Sequence, residues 1–211
     1  IDVHRDMIFD WGLIKNSGFE VPVDDIKSIN YTCNKTKDTN NDAILQIQNL
    51  SYKYKSKSHF TINNLNLTVM PKERVAITGH IGSGKSTLMK VILKMLYPTS
   101  GNIYLKNTCI YNIGTREYFQ RVGFMPQNCM LFKRSIIENI LYDNQKIKES
   151  DVMNVIKQYK LEKHFKNGMH ISTDSLSGGQ RQLVWFLRIY FKNPELIILD
   201  EPTASLDKET K

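Results

Sequence analysis

The sequence predicts an α/β fold with an N-terminal antiparallel β layer and an inserted helical lobe, and three observations carry that expectation. A glycine-rich loop stands between an apolar strand pattern and a helix pattern from Arg74 to Leu88 (RVAITGHIGSGKSTL). Stretches of β character precede it, and an apolar strand ending in two acids, Leu196 to Glu201, follows far downstream. Between Gln127 and Gly178 the pattern is one of helices and loops without a strong strand,.

Taken in order, Ile1 to Val23 mixes apolar and charged residues without periodicity, and Ser28 to Asp42 is rich in Asn, Thr, Lys and Asp. Residues 1–42 are therefore expected to be a connector, partly disordered, with a folded domain from Ala43 to Lys211. Ala43 to Tyr54 and Leu65 to Val69 are expected to pair as an antiparallel layer, with a turn at Met70-Pro71-Lys72-Glu73,. Arg74 to Thr78 then reads as a short buried strand, and Ser86 onward as a helix with Leu88, Ile92, Leu93 and Met95 inward,.

Pro98-Thr99-Ser100-Gly101 predicts a turn, and Asn102 to Leu105 and Arg121 to Met125 predict further strands,. Ser135-Ile136-Ile137-Glu138 is a capping-box pattern, so a helix should open at Ser135,. Val152, Val155, Ile156 and Tyr159 recur at helical spacing, and Arg181 to Phe191 is apolar nearly all round, the pattern of a buried helix,. These elements make up the expected helical lobe, about residues 128–192.

The bulk numbers bound the function. A chain of 211 residues with 41% hydrophobic and 24% charged residues is that of an ordinary globular protein, and no apolar run reaches the length of a membrane span,. Residue 1 is Ile and no signal peptide is visible, so the chain is expected to be part of something longer,. The net charge of +8 could suggest nucleic acid or an anionic surface,. A lysine-rich solvated face plus a phosphate pocket fits better, because only Lys53-Tyr54-Lys55-Ser56-Lys57 is locally dense,. Cys33, Cys109 and Cys129 are odd in number and scattered, which fits a reducing compartment rather than zinc or a disulfide framework,.

The chemistry concentrates in four places. Gly79-His80-Ile81-Gly82-Ser83-Gly84-Lys85-Ser86 satisfies the phosphate-loop pattern G-x-x-x-x-G-K-[ST], and Thr87 follows it,. Free N–H groups at a helix start and the positive end of its dipole favour a nucleotide's phosphates. Lys85 would reach the β- and γ-phosphates and the Ser86 hydroxyl would bind Mg²⁺. Ser177, Gly178 and Gly179 front a second helix start, more than one nucleotide needs,. Asp200 would hold Mg²⁺ opposite Ser86, and Glu201 could polarise an attacking water. Either Tyr52 or Tyr54 could stack on an adenine ring, or both could simply pack across strands.

These pieces resemble the nucleotide-binding domain of the ATP-binding cassette family: a P-loop NTPase, RecA-like core with the N-terminal antiparallel layer and a helical subdomain carrying LSGGQ. The matching residues are the Walker A loop Gly79 to Thr87, the glutamine-loop residue Gln127, the signature Leu176-Ser177-Gly178-Gly179-Gln180, the Walker B strand ending in Asp200, the adjoining Glu201 and the D-loop Ser205-Leu206-Asp207. The resemblance implies ATP and Mg²⁺ as ligands and a second cassette as a head-to-tail partner whose nucleotide meets Ser177, Gly178, Gly179 and Gln180. It also implies Tyr54 as the adenine stacker, Gln127 as a Mg²⁺ contact that senses a transmembrane partner, Asp207 at the dimer interface, and ATP hydrolysis through Glu201, Gln127 and Lys85.

Arg121 to Asp143 resembles the exporter branch, with V-x-Q-x-x-x-L-F-like and I-x-E-N-I features, and Met7-Ile8-Phe9-Asp10 faintly resembles the connector after an exporter's last membrane helix. The expectation is thus an ATPase domain facing the cytosol, attached to a membrane through a transmembrane domain N-terminal on the same polypeptide, with no nucleic acid partner. Two departures stand out. Met169 to Ser175 (MHISTDS) replaces the acidic, glycine-containing stretch that exporters carry ahead of the signature, and the chain ends before a switch histidine, so that it is expected to be truncated and a poor ATPase by itself. A soluble, non-transport cassette ATPase and a degenerate ATP-binding clamp are the alternatives; intact Lys85, Asp200 and Glu201 argue against the second.

Overall fold

Alternation of apolar and polar residues builds the first sheet. In the computed structural model, which describes residues 42–202 apart from 57, 143 and 145, β1 (Leu45–Tyr52) is the central strand. It pairs antiparallel with β2 (Ile62–Val69) on one side and β3 (Ser100–Leu105) on the other, and β3 pairs with β4 (Thr108–Cys109). Leu45 lies opposite Val69 and Leu105, and Ile47 opposite Leu67 and Ile103, so one face collects the buried side chains,. This is the expected antiparallel layer.

Helix α1 (Lys85–Ile92) buries Leu88 and Ile92, and the turn after it buries Leu93 and Met95. Its last carbonyls would be orphaned, and two tyrosines supply the donors. The Tyr118 hydroxyl donates to the Ile92 carbonyl at 2.6 Å, and the Tyr111 hydroxyl to those of Val91 and Leu96 at 3.3 and 3.1 Å. Just beyond, the Lys94 ammonium donates to the Ile113 carbonyl at 2.7 Å, and burial lowers its pKa. Helix α2 (Thr115–Arg121) carries the chain out of this unit, which runs up to Phe119.

The expected strand Arg74 to Thr78 does not form. The segment follows the turn at Met70–Glu73, closed by Glu73 N–H donating to the Met70 carbonyl, and runs exposed, with Val75 and Ile77 43% and 47% accessible. Strand propensity records fitness for a sheet surface, and among the described residues of this unit the segment has no ladder partner.

The second unit begins at Gln120. There β5 (Val122–Met125) pairs in parallel with β6 (Leu196–Leu199), and the ladder runs past both ends. The Glu195 N–H donates to the Arg121 carbonyl at 2.8 Å, the Asp200 N–H donates to the Met125 carbonyl at 3.0 Å, and Arg121 and Glu195 form an ion pair at 3.1 Å. Gly123 is needed here, because a Cβ would come within 2.8 Å of the Pro194 ring. Strand β6 is less buried than its apolar run predicts: Ile197 and Leu199 are exposed.

Helices α3 (Ile136–Leu141), α4 (Glu149–Gln158) and α5 (Gly178–Lys192) pack around Ile136, Ile140, Val152, Ile156, Leu183 and Val184. The capping box at Ser135 forms as its pattern predicts. The Ser135 hydroxyl accepts from the Glu138 N–H at 3.3 Å and donates to the Glu138 carboxylate at 2.5 Å, and that carboxylate also accepts from the Ser135 N–H at 2.9 Å; the hydroxyl, and after it the N–H, hold the Glu138 carboxyl below its usual range,. Tyr159, expected on the inner face of α4, instead caps its C-terminus and is exposed, and Tyr190 of α5 is exposed beside it. Cys129 is a buried free thiol, whereas Cys109 is disulfide-bonded, contrary to the cysteine reading. The expected connector before Asp42 and the D-loop residues Ser205 to Asp207 lie outside the described residues. No helix among the described residues is long and apolar enough to cross a membrane.

Candidate functional site

The phosphate loop lies wholly in the first unit. Gly84 caps α1 with φ 95, a left-handed value, and a Cβ there would stand 2.8 Å from the Thr61 carbonyl oxygen, so both conformation and space select glycine,. The start of α1 has no side-chain cap and no acidic residue in its first turn, which leaves the amides and the dipole available to an anion,. The loop closes through Ser83 N–H donating to the His80 carbonyl at 3.2 Å. The Lys85 ammonium folds back over it and donates to the carbonyls of Gly79 and His80 at 2.6 and 2.9 Å. An ammonium held by neutral oxygens, these carbonyls and the Ser83 hydroxyl at 3.5 Å, gains by transfer to phosphate oxygens, whose opposite charge adds Coulomb attraction,. Ile81 is 99% exposed at the loop's tip.

Tyr54 and Thr87 meet in this unit, with their hydroxyl oxygens 3.2 Å apart. Tyr52 is buried and stands edge-on to Tyr54, with ring centroids 4.9 Å apart. The cross-strand reading therefore suits Tyr52, and Tyr54 is the ring tied to the phosphate-loop helix.

The second unit gathers the acids. Because β5 and β6 run parallel and in register, Pro126-Gln127 and Asp200-Glu201 emerge side by side. The Gln127 amide donates through Nε2 to the Glu201 carboxylate Oε2 at 2.7 Å. Glu201 has φ 48, a left-handed value that L residues with long side chains rarely adopt, at a cost of roughly 1 kcal/mol,. Burial, and secondarily the charge on Glu201, push the Asp200 carboxyl above its ordinary value,. A divalent cation beside Asp200 would relieve both causes. Within this unit the Asp200 carboxylate and the Gln127 amide oxygen are hard oxygen donors of the kind Mg²⁺ takes.

The signature forms the start of α5. The Ser177 hydroxyl accepts from the Gln180 N–H at 3.2 Å, and the Gln180 side chain accepts from the Ser177 N–H at 2.8 Å, a complete capping box,. The Gln180 amide also donates to the His164 carbonyl at 2.6 Å, and Arg181 donates to the carbonyl of buried Leu176 at 2.6 Å. Gln180 is thus committed to holding the turn, while Ser177 is exposed. Gly178 and Gly179 form the helix's first turn, which contains no acid.

The structure places Gly79 to Thr87 and Tyr54 together in one unit and Gln127, Ser177 to Gln180, Asp200 and Glu201 in the other. Sequence reasoning passed over Asn139, Thr173 and Arg188, which are hydrogen-bonded around the Phe132 backbone. Asn139 sits in the exporter-like I-x-E-N-I stretch, a signal that was legible; Thr173 left none.

Comparison with known proteins agrees with this inventory. The ABC transporter family model matches residues 62–204. A colicin V secretion/processing ATP-binding protein of Escherichia coli is 33% identical over 174 residues, which cover 79% of this chain and 25% of the relative. ABC transporter B family member 26, chloroplastic, of Arabidopsis thaliana is 34% identical over 174 residues, with the same coverage of 79% and 25%. The solved structure of a bacterial Atm1-family ABC exporter with ATP bound is similar at a TM-score of 0.72 and 26% identity, over 81% of this chain and 31% of that one. The chain spans about a quarter of the length of these curated relatives. With the phosphate loop, the signature and the paired acids all falling inside the matched span or at its edges, the chain belongs to the ABC transporter family and carries its ATP-binding domain.

Proposed function

We propose that this chain hydrolyses ATP to drive export, as the nucleotide-binding domain of an ABC exporter. The observation that carries the reading is a pair of helix starts in one chain, each without an acid in its first turn. One follows the phosphate loop at Lys85, and one is capped by an exposed Ser177 and followed by two glycines. A single nucleotide uses one of them, so the second is offered to a nucleotide held by another cassette. Two copies, or this chain and a related cassette, then associate head to tail.

Each residue has a task. The amides of Gly82 to Ser86 and the Lys85 ammonium bind the phosphates, and the Tyr54 ring stacks on adenine. Ser86, Asp200 and Gln127 would hold Mg²⁺, which would supply positive charge against the developing phosphate charge. Glu201 accepts the proton of the attacking water. Its bond to Gln127 occupies Oε2 and holds the carboxylate in a resting position, so Gln127 must let go before that oxygen can accept a proton. Ser177 donates its hydroxyl hydrogen to the γ-phosphate of the nucleotide on the second cassette, and Gly178 and Gly179 allow the backbone to approach it.

The membrane part lies N-terminal on the same polypeptide, consistent with relatives about four times as long, and this domain faces the cytosol. The upstream gene sequence should then encode about six apolar stretches of spanning length; a polar N-terminal region in their place ends the exporter reading. On the full-length protein, Glu201→Gln should abolish steady-state ATP hydrolysis while retaining Mg-ATP binding. Full turnover in that variant removes Glu201 from the chemistry.

A further inference from the structure

The roles above leave the Asn139 position of the I-x-E-N-I stretch unexplained, and the side chains around it form one continuous network. Asn139 on α3 is fully buried. Its Oδ1 accepts from the Phe132 N–H at 2.9 Å, and its Nδ2 donates to the carbonyls of Phe132 and Ser135, both at 3.0 Å. Arg188 of α5 donates to the same residue twice, to the backbone oxygen at 2.7 Å and to Oδ1 at 3.0 Å, and its guanidinium lies 4.6 Å from the Trp185 ring centre.

The Phe132 carbonyl has two further donors, one of them the Arg134 N–H at 2.7 Å. The hydroxyl of buried Thr173 reaches it at 2.8 Å, and the Thr173 N–H donates to the Arg134 carbonyl at 3.2 Å. On either side of that contact the pre-signature stretch completes the start of α3. The Ile137 and Ile136 N–H groups donate to the carbonyls of Met169 and Ile171 at 2.9 and 3.2 Å, and Ser135 bridges Ser172. Phe132 lies five residues after Gln127, and Thr173 four residues before Ser177. The backbone of one residue is therefore gripped from two elements, α3 and the pre-signature turn, with Arg188 of α5 bracing Asn139 from behind.

We propose that Thr173 and Asn139 are positioning residues for nucleotide hydrolysis: by clamping the backbone of Phe132 they make the Gln127 loop and the entry to the signature move as one piece. The inference rests on the hydrolysis proposed above. Neither residue touches nucleotide; each acts through the placement of Gln127 and Ser177. Catalytic groups misplaced by about 1 Å can cost up to a hundredfold in rate, and losing one of the two side-chain donors should cost on the order of tenfold.

The test compares wild type, Thr173→Ser, Thr173→Val and Asn139→Asp in the full-length protein, measuring kcat, KM for Mg-ATP and the melting temperature of each. Thr173→Val keeps the shape and removes the hydroxyl, while Thr173→Ser keeps the hydroxyl. Asn139→Asp keeps acceptors toward Arg188 and the Phe132 N–H but removes the donor to Phe132 and Ser135. Thr173→Val and Asn139→Asp should lower kcat about tenfold with KM within about twofold, and Thr173→Ser should stay near wild type. Should Thr173→Val fail to fold, the Asn139→Asp and Thr173→Ser arms give the same decision. Wild-type kcat in both Thr173→Val and Asn139→Asp overturns the clamp, as does a loss that only follows the fraction unfolded. A wild-type protein that binds ATP and never hydrolyses it overturns the proposed function, and the clamp's catalytic role with it.

Discussion

Ser177→Asp separates the two jobs assigned to the Ser177 hydroxyl. In the structure that oxygen accepts the Gln180 N–H at 3.2 Å, which uses a lone pair and leaves the O–H free to donate,. Aspartate is as good an N-cap as serine and its charge suits the helix dipole, so the variant should melt within about 2 °C of wild type. Ser177→Ala, by contrast, loses the cap, about 1 kcal/mol, and should melt roughly 2–4 °C lower. Toward a phosphate the order reverses. Asp loses the donor and sets a negative charge facing another, about 4 kcal/mol at 4 Å and an effective dielectric constant near 20. That is roughly a thousandfold in the affinity of one cassette for the nucleotide face of another. Size-exclusion chromatography with Mg-ATP in a Glu201→Gln background reads it: the Glu201→Gln protein should dimerise, and the Ser177→Asp double variant should stay monomeric. A double variant that dimerises normally refutes the placement of Ser177 against phosphate. A Ser177→Asp melting point as low as that of Ser177→Ala refutes the capping argument.

Three further outcomes follow from particular residues. Burial and Glu201 raise the Asp200 pKa above its ordinary 3.8, so in the metal-free protein its carboxyl should titrate above 3.8 when followed by NMR, and Glu201→Gln should move that midpoint down; a midpoint unmoved by Glu201→Gln counts against the charge coupling. By linkage, the stability that Asp200 contributes is present below pH 3.8 and lost as pH rises through its folded value,. Asp200→Asn should accordingly be the more stable protein at neutral pH in EDTA. Burial pushes the Cys129 thiol up to about 12, so at pH 8 iodoacetamide followed by mass spectrometry should find Cys129 unmodified in the native chain and modified in urea; rapid native labelling contradicts the burial,. Gly84→Ala forces a methyl toward the Thr61 oxygen at a left-handed φ, which costs at least about 1–2 kcal/mol and should abolish binding of a fluorescent ATP analogue; retained binding means the loop has another conformation,.

What was legible in the sequence has a physical pattern. The capping box at Ser135, the helix start behind Ser177, the glycines of the phosphate loop and the antiparallel pairing before it all announce themselves within a few residues. Their chemistry is local, with a hydroxyl three residues from the amide it caps and a left-handed φ at a single glycine. The failure at Arg74 to Thr78 has the opposite character. Val75 and Ile77 carry the propensity of a strand, but a strand exists only where another chain segment offers its hydrogen-bonding edge, and five residues cannot say where that edge is. The same distance hid the contacts that matter for chemistry: Tyr54 to Thr87 spans 33 residues, Thr173 to Phe132 spans 41, and Gln127 to Glu201 spans 74.

The last of these could have been derived with one more step, and that step shows how the fold makes the site. Val122 to Met125 and Leu196 to Leu199 are both four-residue strands that end in polar groups. Parallel pairing needs both strands to point the same way, so their carboxyl ends must coincide, and in-register pairing of Met125 with Leu199 puts the next residues of each strand together,. The Asp200 N–H bonding to the Met125 carbonyl extends the ladder by one residue and fixes Asp200 itself at the end of the sheet. Glu201 then leaves the strand through its left-handed φ, which turns the chain and brings the carboxylate to the Gln127 amide. A single-residue slip between β5 and β6 would move Asp200 off the sheet end and Glu201 away from Gln127 together. The ladder's extra bonds at Glu195 and Asp200 therefore set the position of the proposed base as well as closing the sheet.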